Sequence, residues 1–166
     1  VKTKTGMVSF PTEGTFDLKA GASAIFPFNV EYDGFAIQMA TVQPYCRFVN
    51  HGQIYHVMIS VDGIQPEILC RGKVNVSGNG FKKSNKAGNT LLQFIPNRIC
   101  ELKTEKCNIL ILPFKDALNA YLAGNNYSNL VISNGVVLGE GKNLSLLTSR
   151  TDSTTLTVYP AIKQAV

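Results

Sequence analysis

Apolar positions in this chain fall in short runs, many loosely alternating and several punctuated by Gly, Asn, Asp or Pro. That is the pattern of strands joined by tight turns. It is clearest between Ile25 and Leu69. Asp33-Gly34 is a hairpin signal, and Phe35–Val42 alternates after it. Pro44 is expected to break the ladder, Cys46–Val49 to resume it, and Asn50-His51-Gly52 to turn the chain. Ile54–Val61, rich in β-branched and aromatic residues, is the best strand of the sequence. Asp62-Gly63 ends it and Ile68–Val76 reads as the next. Upstream, Thr15–Leu18 and Ala22–Val30 read as strands joined at Lys19-Ala20-Gly21, with Pro27 at an edge or bulged position. Val1 to Glu13 is polar and partly alternating, an arm, a linker or an edge strand.

Downstream, Gly78–Gly88 is the longest polar stretch and reads as a surface loop. Thr90–Ile95 returns to strand character, Cys100 and Cys107 flank a charged loop, and Asn108–Leu112 forms a short apolar strand. Pro113–Gly124 is the one helical segment: Pro suits the first turn, Gly the end, and Phe114, Leu118, Tyr121 and Leu122 share a face. Leu130–Ser133, Val136–Leu138, Leu144–Ser149 and Thr154–Tyr159 close the chain as strands. The expectation is an all-β fold, a β-sandwich or jelly roll with one short helix near residues 113–123. Residues 1–14 form an N-terminal arm or linker and residues 15–166 a single domain, which suits a chain of 166 residues.

Charge changes this picture little. The net charge is +5 and the sequence pI about 9.1, which raises a nucleic-acid partner. The basic residues are scattered, however, and the densest groups are Lys2/Lys4 and Lys82/Lys83/Lys86, so no nucleic-acid partner is expected. No apolar run is long enough for a membrane span. The four cysteines, Cys46, Cys70, Cys100 and Cys107, form no CxxC, and His51 and His56 do not match a zincin. No metal and no cofactor is implied. The cysteines allow three disulfide connectivities, among them Cys46–Cys70 with Cys100–Cys107, or four free thiols.

No catalytic centre is legible. Ser60 and Asp62 flank a strand carrying His56, as ordinary strand composition would place them. The few carboxylates lie mostly at turns or in the Cys100–Cys107 loop, where solvation explains them better than the facing acid and base that glycosidases use. Gly139–Asn143 lacks P-loop spacing. Sugar binding is the surface function the composition allows. It needs an exposed aromatic face against a pyranose ring with amides and hydroxyls nearby. Tyr45, Tyr55 and Tyr127 are the first candidates, followed by Phe81 and Tyr121.

The order of several short motifs resembles a known family. Leu18-Lys19-Ala20-Gly21, Phe26-Pro27-Phe28-Asn29, Met39-Ala40-Thr41-Val42-Gln43-Pro44-Tyr45-Cys46 and Val61-Asp62-Gly63-Ile64-Gln65-Pro66-Glu67 look like a non-catalytic β domain of bacterial β-galactosidases of glycoside hydrolase family 35. Ile109–Leu112 leading into Ala117–Tyr121, then Leu130–Ser133 and Val158–Ala161, extend the similarity over roughly residues 15 to 161. The cysteines depart from that pattern. The resemblance implies a chain with no activity of its own, partnered by the catalytic barrel of the same or a longer chain and exported to the periplasm or cell surface. The family's catalytic glutamates lie on that barrel, so none maps here. The alternative is a free-standing carbohydrate-binding module or adhesin-like surface protein that meets oligosaccharide directly. A third reading is a structural, virion-type jelly roll, which would need a symmetric self-assembly interface.

Overall fold

A computed structural model of the chain describes residues 2–3, 6–7, 9–140, 143–147 and 154–161. Two short strands, β1 (Lys2–Thr3) and β2 (Gly6–Met7), pair at the N-terminus. Then come β3 (Phe28–Tyr32), β4 (Phe35–Ala40), β5 (Val42–Asn50), β6 (Gln53–Ser60), β7 (Glu67–Cys70), β8 (Ser77–Asn79), β9 (Phe81–Lys86), β10 (Asn89–Phe94), β11 (Cys100–Lys103) and β12 (Cys107–Pro113). A single helical turn, α1 (Phe114–Ala117), leads to β13 (Ala120–Ala123), β14 (Asn129–Ser133), β15 (Val136–Glu140), β16 (Asn143–Leu147) and β17 (Leu156–Tyr159).

The fold is an all-β sandwich. One five-stranded sheet has the order β3-β4-β7-β10-β9 and the other β5-β6-β12-β11-β8. Ile37, Ile68, Cys70, Leu92 and Phe94 of the first meet Val42, Met58, Cys100, Leu102, Ile109 and Ile111 of the second in one core. The chain passes between sheets at Thr41, whose N–H donates to the Glu67 carbonyl at 3.0 Å. Its buried hydroxyl donates to the Gln65 carbonyl at 2.6 Å and accepts the Glu67 N–H at 2.8 Å. The corner therefore leaves neither of these backbone donors without a partner.

The second sheet is covered on both faces. A three-stranded sheet, β13-β14-β17, packs on its far side, where Val57, Ile59, Leu110 and Leu112 meet Ala117, Ala120 and Leu130. The first sheet's outer face carries Met39, Leu69 and Leu91, covered by Phe10 and Phe28. Phe10 also lies 5.5 Å from Phe16 and 5.1 Å from Phe26, ring centre to ring centre, so the N-terminal segment caps this face with an aromatic cluster. Gly63 makes the approach of that segment possible. Its φ of +82° suits glycine, and a Cβ there would stand 2.1 Å from the Asp17 carbonyl.

Several expectations need correcting. The helix is four residues long rather than filling 113–123, because Ala120–Ala123 pairs with β14 instead. A short helix has few bonds of its own, and the strand ladder wins. Pro44 does not end its strand: β5 runs through it, with a register shift between Pro44 and Cys46. Ile68–Val76 is a strand only to Cys70. Most of Gly78–Gly88 is strand, not loop. β9 is an edge strand paired on one side with β10, and its exposed lysines and polar residues suit an edge that must not recruit another sheet. The candidate strand Leu144–Ser149 runs to Leu147, and its last two residues lie outside the described ones.

The four cysteines are free thiols. Cys46 packs on the far face of the second sheet, whereas Cys70 sits in the core between the sheets, so a sheet separates them. Cys100 faces Ile111 across the ladder, and Cys107 lies four residues earlier on β12. At about 3.4 Å per residue that is roughly 14 Å, beyond the ~7 Å Cα separation that a disulfide spans. Burial pushes the Cys46 thiol up to about 11 and Cys70 to about 12. At pH 8 only about 0.1% of Cys46 is thiolate. Mass spectrometry without reductant will find four alkylated cysteines in denaturant. In the native protein at pH 8 labelling will be slow, with the half-buried Cys46 reacting before Cys70.

Candidate functional site

Strand alternation decides which side chains reach the surface of the second sheet. On β11, Cys100 and Leu102 point into the core, so Glu101 and Lys103 take the opposite face. On β12, Ile109 points inward, so Asn108 and Leu110 share the face of Glu101. On β6, Met58 points inward and Tyr55 outward. Register then aligns them. Tyr55 is opposite Asn108 in the parallel β6–β12 pair, and Asn108 is opposite Lys103 in the antiparallel β11–β12 pair. A row Tyr55–Asn108–Lys103 crosses three strands, with Glu101 and Leu110 forming the adjacent row.

The last described strand closes this row into a hollow of about 250 Å³, walled by Val158, Tyr159 and Pro160. Its parts are fixed from behind. Tyr55 stacks on Phe48, with ring centres 4.7 Å apart and planes 4° from parallel. The Asn108 amide donates to the Gln53 side-chain carbonyl at 3.2 Å. Lys103 Nζ stands 4.0 Å from a Glu101 carboxylate oxygen. Burial raises the Tyr55 and Tyr159 hydroxyl pKa values, and the nearby Glu101 charge adds to both. Both phenols stay protonated and able to donate at neutral pH. Among the described lining residues Glu101 is the only carboxylate.

Tyr55 thus lines the hollow, and the other candidates lie elsewhere. The Tyr45 hydroxyl is 3.4 Å from the carbonyls of Ala117 and Ala120, beside α1. Tyr127 is well exposed on the turn between β13 and β14. Phe81 packs against Phe94 at the sandwich core. Tyr121 stands on β13 opposite Val131. Nothing in the sequence marks Tyr159 and Glu101 as ligand contacts. Tyr159 looks like the end of a closing strand and Glu101 like loop charge, and only the pairing of β11 with β12 brings Glu101 to this face.

A second polar cluster ties the two sheets together. Asp33, in the β3–β4 turn, stands 2.6 Å from His56 Nε2 and accepts bonds from Arg47 Nε at 3.1 Å and Nη2 at 3.3 Å. Arg47 and His56 are register neighbours on β5 and β6. The Arg47 hydrogen bonds, then the one from His56, hold the Asp33 carboxyl below its usual range. The Tyr32 and His56 rings meet edge to face, with centres 5.0 Å apart. Ser60 lies four residues along the strand, roughly 13 Å away, and its hydroxyl donates to the Leu112 carbonyl at 3.3 Å. His56 is thus paired with Asp33 rather than with Ser60, and this cluster is a clasp between sheets.

Among the described residues, no helix is long and apolar enough to cross a membrane, and no group of three or more His, Cys, Asp and Glu side chains could hold a metal ion. No protein-family model matches the chain, and no curated protein matches it.

Proposed function

We propose that the chain is a non-catalytic β-sandwich domain of a β-galactosidase-like glycoside hydrolase, bracing a catalytic barrel carried elsewhere in the same or a longer polypeptide. On this reading it works in the periplasm or at the cell surface. The motif order from Leu18 to Ala161 is one support. The observation that carries the reading is the face of the β15–β16 hairpin. Val136 and Leu147 are opposite one another, 52% and 57% exposed, and Leu138, two residues along, is 49% exposed. Apolar side chains clustered on one face of a hairpin are what a domain presents to a neighbour it packs against.

The test has two readouts. The intact mass of the native gene product will exceed that of this chain severalfold if a barrel accompanies it, and a native product of this length alone would remove the bracing role. The isolated chain will not turn over an aryl β-galactoside. Clear hydrolysis abolished by a single acidic-residue substitution would overturn the non-catalytic assignment. A free-standing carbohydrate-binding module is the second reading, favoured by the aromatic and amide lining of the hollow beside Tyr55.

A further inference from the structure

We infer that the hollow between β17 and the second sheet is a binding site for one neutral hexopyranose ring, with Tyr55 and Tyr159 as its apolar contacts and Glu101, Asn108 and Lys103 taking its hydroxyls. Three observations carry this. First, the chemistry of the lining matches a sugar on both of its sides: C–H faces pack on aromatic rings, and neighbouring hydroxyls need acceptors and donors together. Glu101 supplies acceptors, Lys103 donors, and Asn108 both. Second, the charges offset. Lys103 and Glu101 stand 4.0 Å apart, so the site carries no net charge to attract an anion or a cation. Third, the size is right for one ring. At about 250 Å³ the hollow lies just under the roughly 300 Å³ at which small-molecule pockets usually begin, which suits a single ring.

The positions are also rigid. Four of the five residues stand on paired strands of the central sheet, and Tyr55 is held by its stack on Phe48. A site built on strands keeps its geometry better than one on loops, which lowers the ordering cost of binding. The inference does not depend on attachment to a barrel. Sugar binding by a chain whose native product has no barrel would keep this site and sink the bracing role, and the reverse result would do the opposite.

The test is a ¹H–¹⁵N titration of the whole chain with methyl β-galactoside, methyl β-glucoside and methyl α-mannoside, with sorbitol as the acyclic polyol of similar hydroxyl content. The expected result is saturable shifts with at least one glycoside, confined to β6, β11, β12 and β17 and absent with sorbitol. Glu101→Gln will weaken that binding about tenfold, because hydroxyl bonds to a charged acceptor are the stronger ones. Tyr159→Ala will abolish it, and Lys82→Ala, on the exposed edge strand of the other five-stranded sheet, will leave it unchanged. If Tyr159→Ala disturbs the remaining spectrum, Glu101→Gln decides alone. No saturable shift with any glycoside, an equal response to sorbitol, or affinity unchanged by Glu101→Gln would overturn the site.

Discussion

Ile111→Ala and Leu112→Ala will each destabilise the domain by about 2–5 kcal/mol, the usual range for removing a large buried aliphatic side chain. Neighbours on a strand point to opposite faces, so in a two-layer sandwich one of the two would face solvent and its truncation would cost little. Here both are buried, Ile111 in the core between the five-stranded sheets and Leu112 against the β13-β14-β17 layer. Similar losses from both, measured by urea unfolding with unchanged m-value, verify the three-layer arrangement. A loss below about 1 kcal/mol for Leu112→Ala alone would mean that the third sheet does not cover this strand.

The second large effect centres on Glu67, a fully buried carboxylate. It accepts the backbone N–H of Thr12 and, at 3.4 Å, that of Glu13, and so pins the N-terminal segment that caps the first sheet. Glu67→Ala strips both donors of their acceptor and leaves a void. An unpaired buried donor costs about 1–3 kcal/mol; these two are only partly buried, so with the void a total loss of about 1–3 kcal/mol is expected, detectable as a lower unfolding midpoint.

The pH dependence has a definite sign. Burial raises the Glu67 pKa, opposed by the Thr12 and Glu13 hydrogen bonds and assisted by the Glu13 charge. Glu13 is itself bonded to Lys86 at 2.6 Å. A raised folded-state pKa means the folded protein holds the proton more tightly than the unfolded chain. The resulting stabilisation is present in full below the unfolded value of about 4.3 and is lost as pH rises through the folded value. Glu67→Gln cannot titrate, so the stability gap between it and the wild type must move in favour of the variant as pH rises. A flat gap would show that the fold prefers neither form, and one that moves the other way that it prefers the charged form; either would overturn the raised pKa.

Much of the sandwich was legible where burial and periodicity agree. Phe35–Val42 and Ile54–Val61 declare their strands through alternation and β-branched content, and the run Ile109–Leu112 is apolar at every position because both of its faces are covered. Local signals failed where tertiary pairing overrode them. Ala120–Ala123 has helical composition but a strand partner, and Phe81–Lys86 has loop composition but sits on an edge where polarity is an asset. The candidate site was least legible. Tyr55, Glu101, Asn108 and Tyr159 come from four strands spread over the chain, and their meeting depends on a parallel register and a strand order that no local periodicity encodes.

That parallel register also bears on how the chain acquires its structure. The Ser60 hydroxyl bonds a carbonyl 52 residues later, and the whole of β6 waits for β12 before its second edge is filled. During synthesis the long β5–β6 hairpin is complete well before its neighbour leaves the ribosome. Loop-closure entropy must be met before the pairing returns anything, so folding belongs in the slow, millisecond-to-second class of β proteins. Until then β6 offers an open edge, and yield on expression will depend more on that interval than on the final stability of the domain.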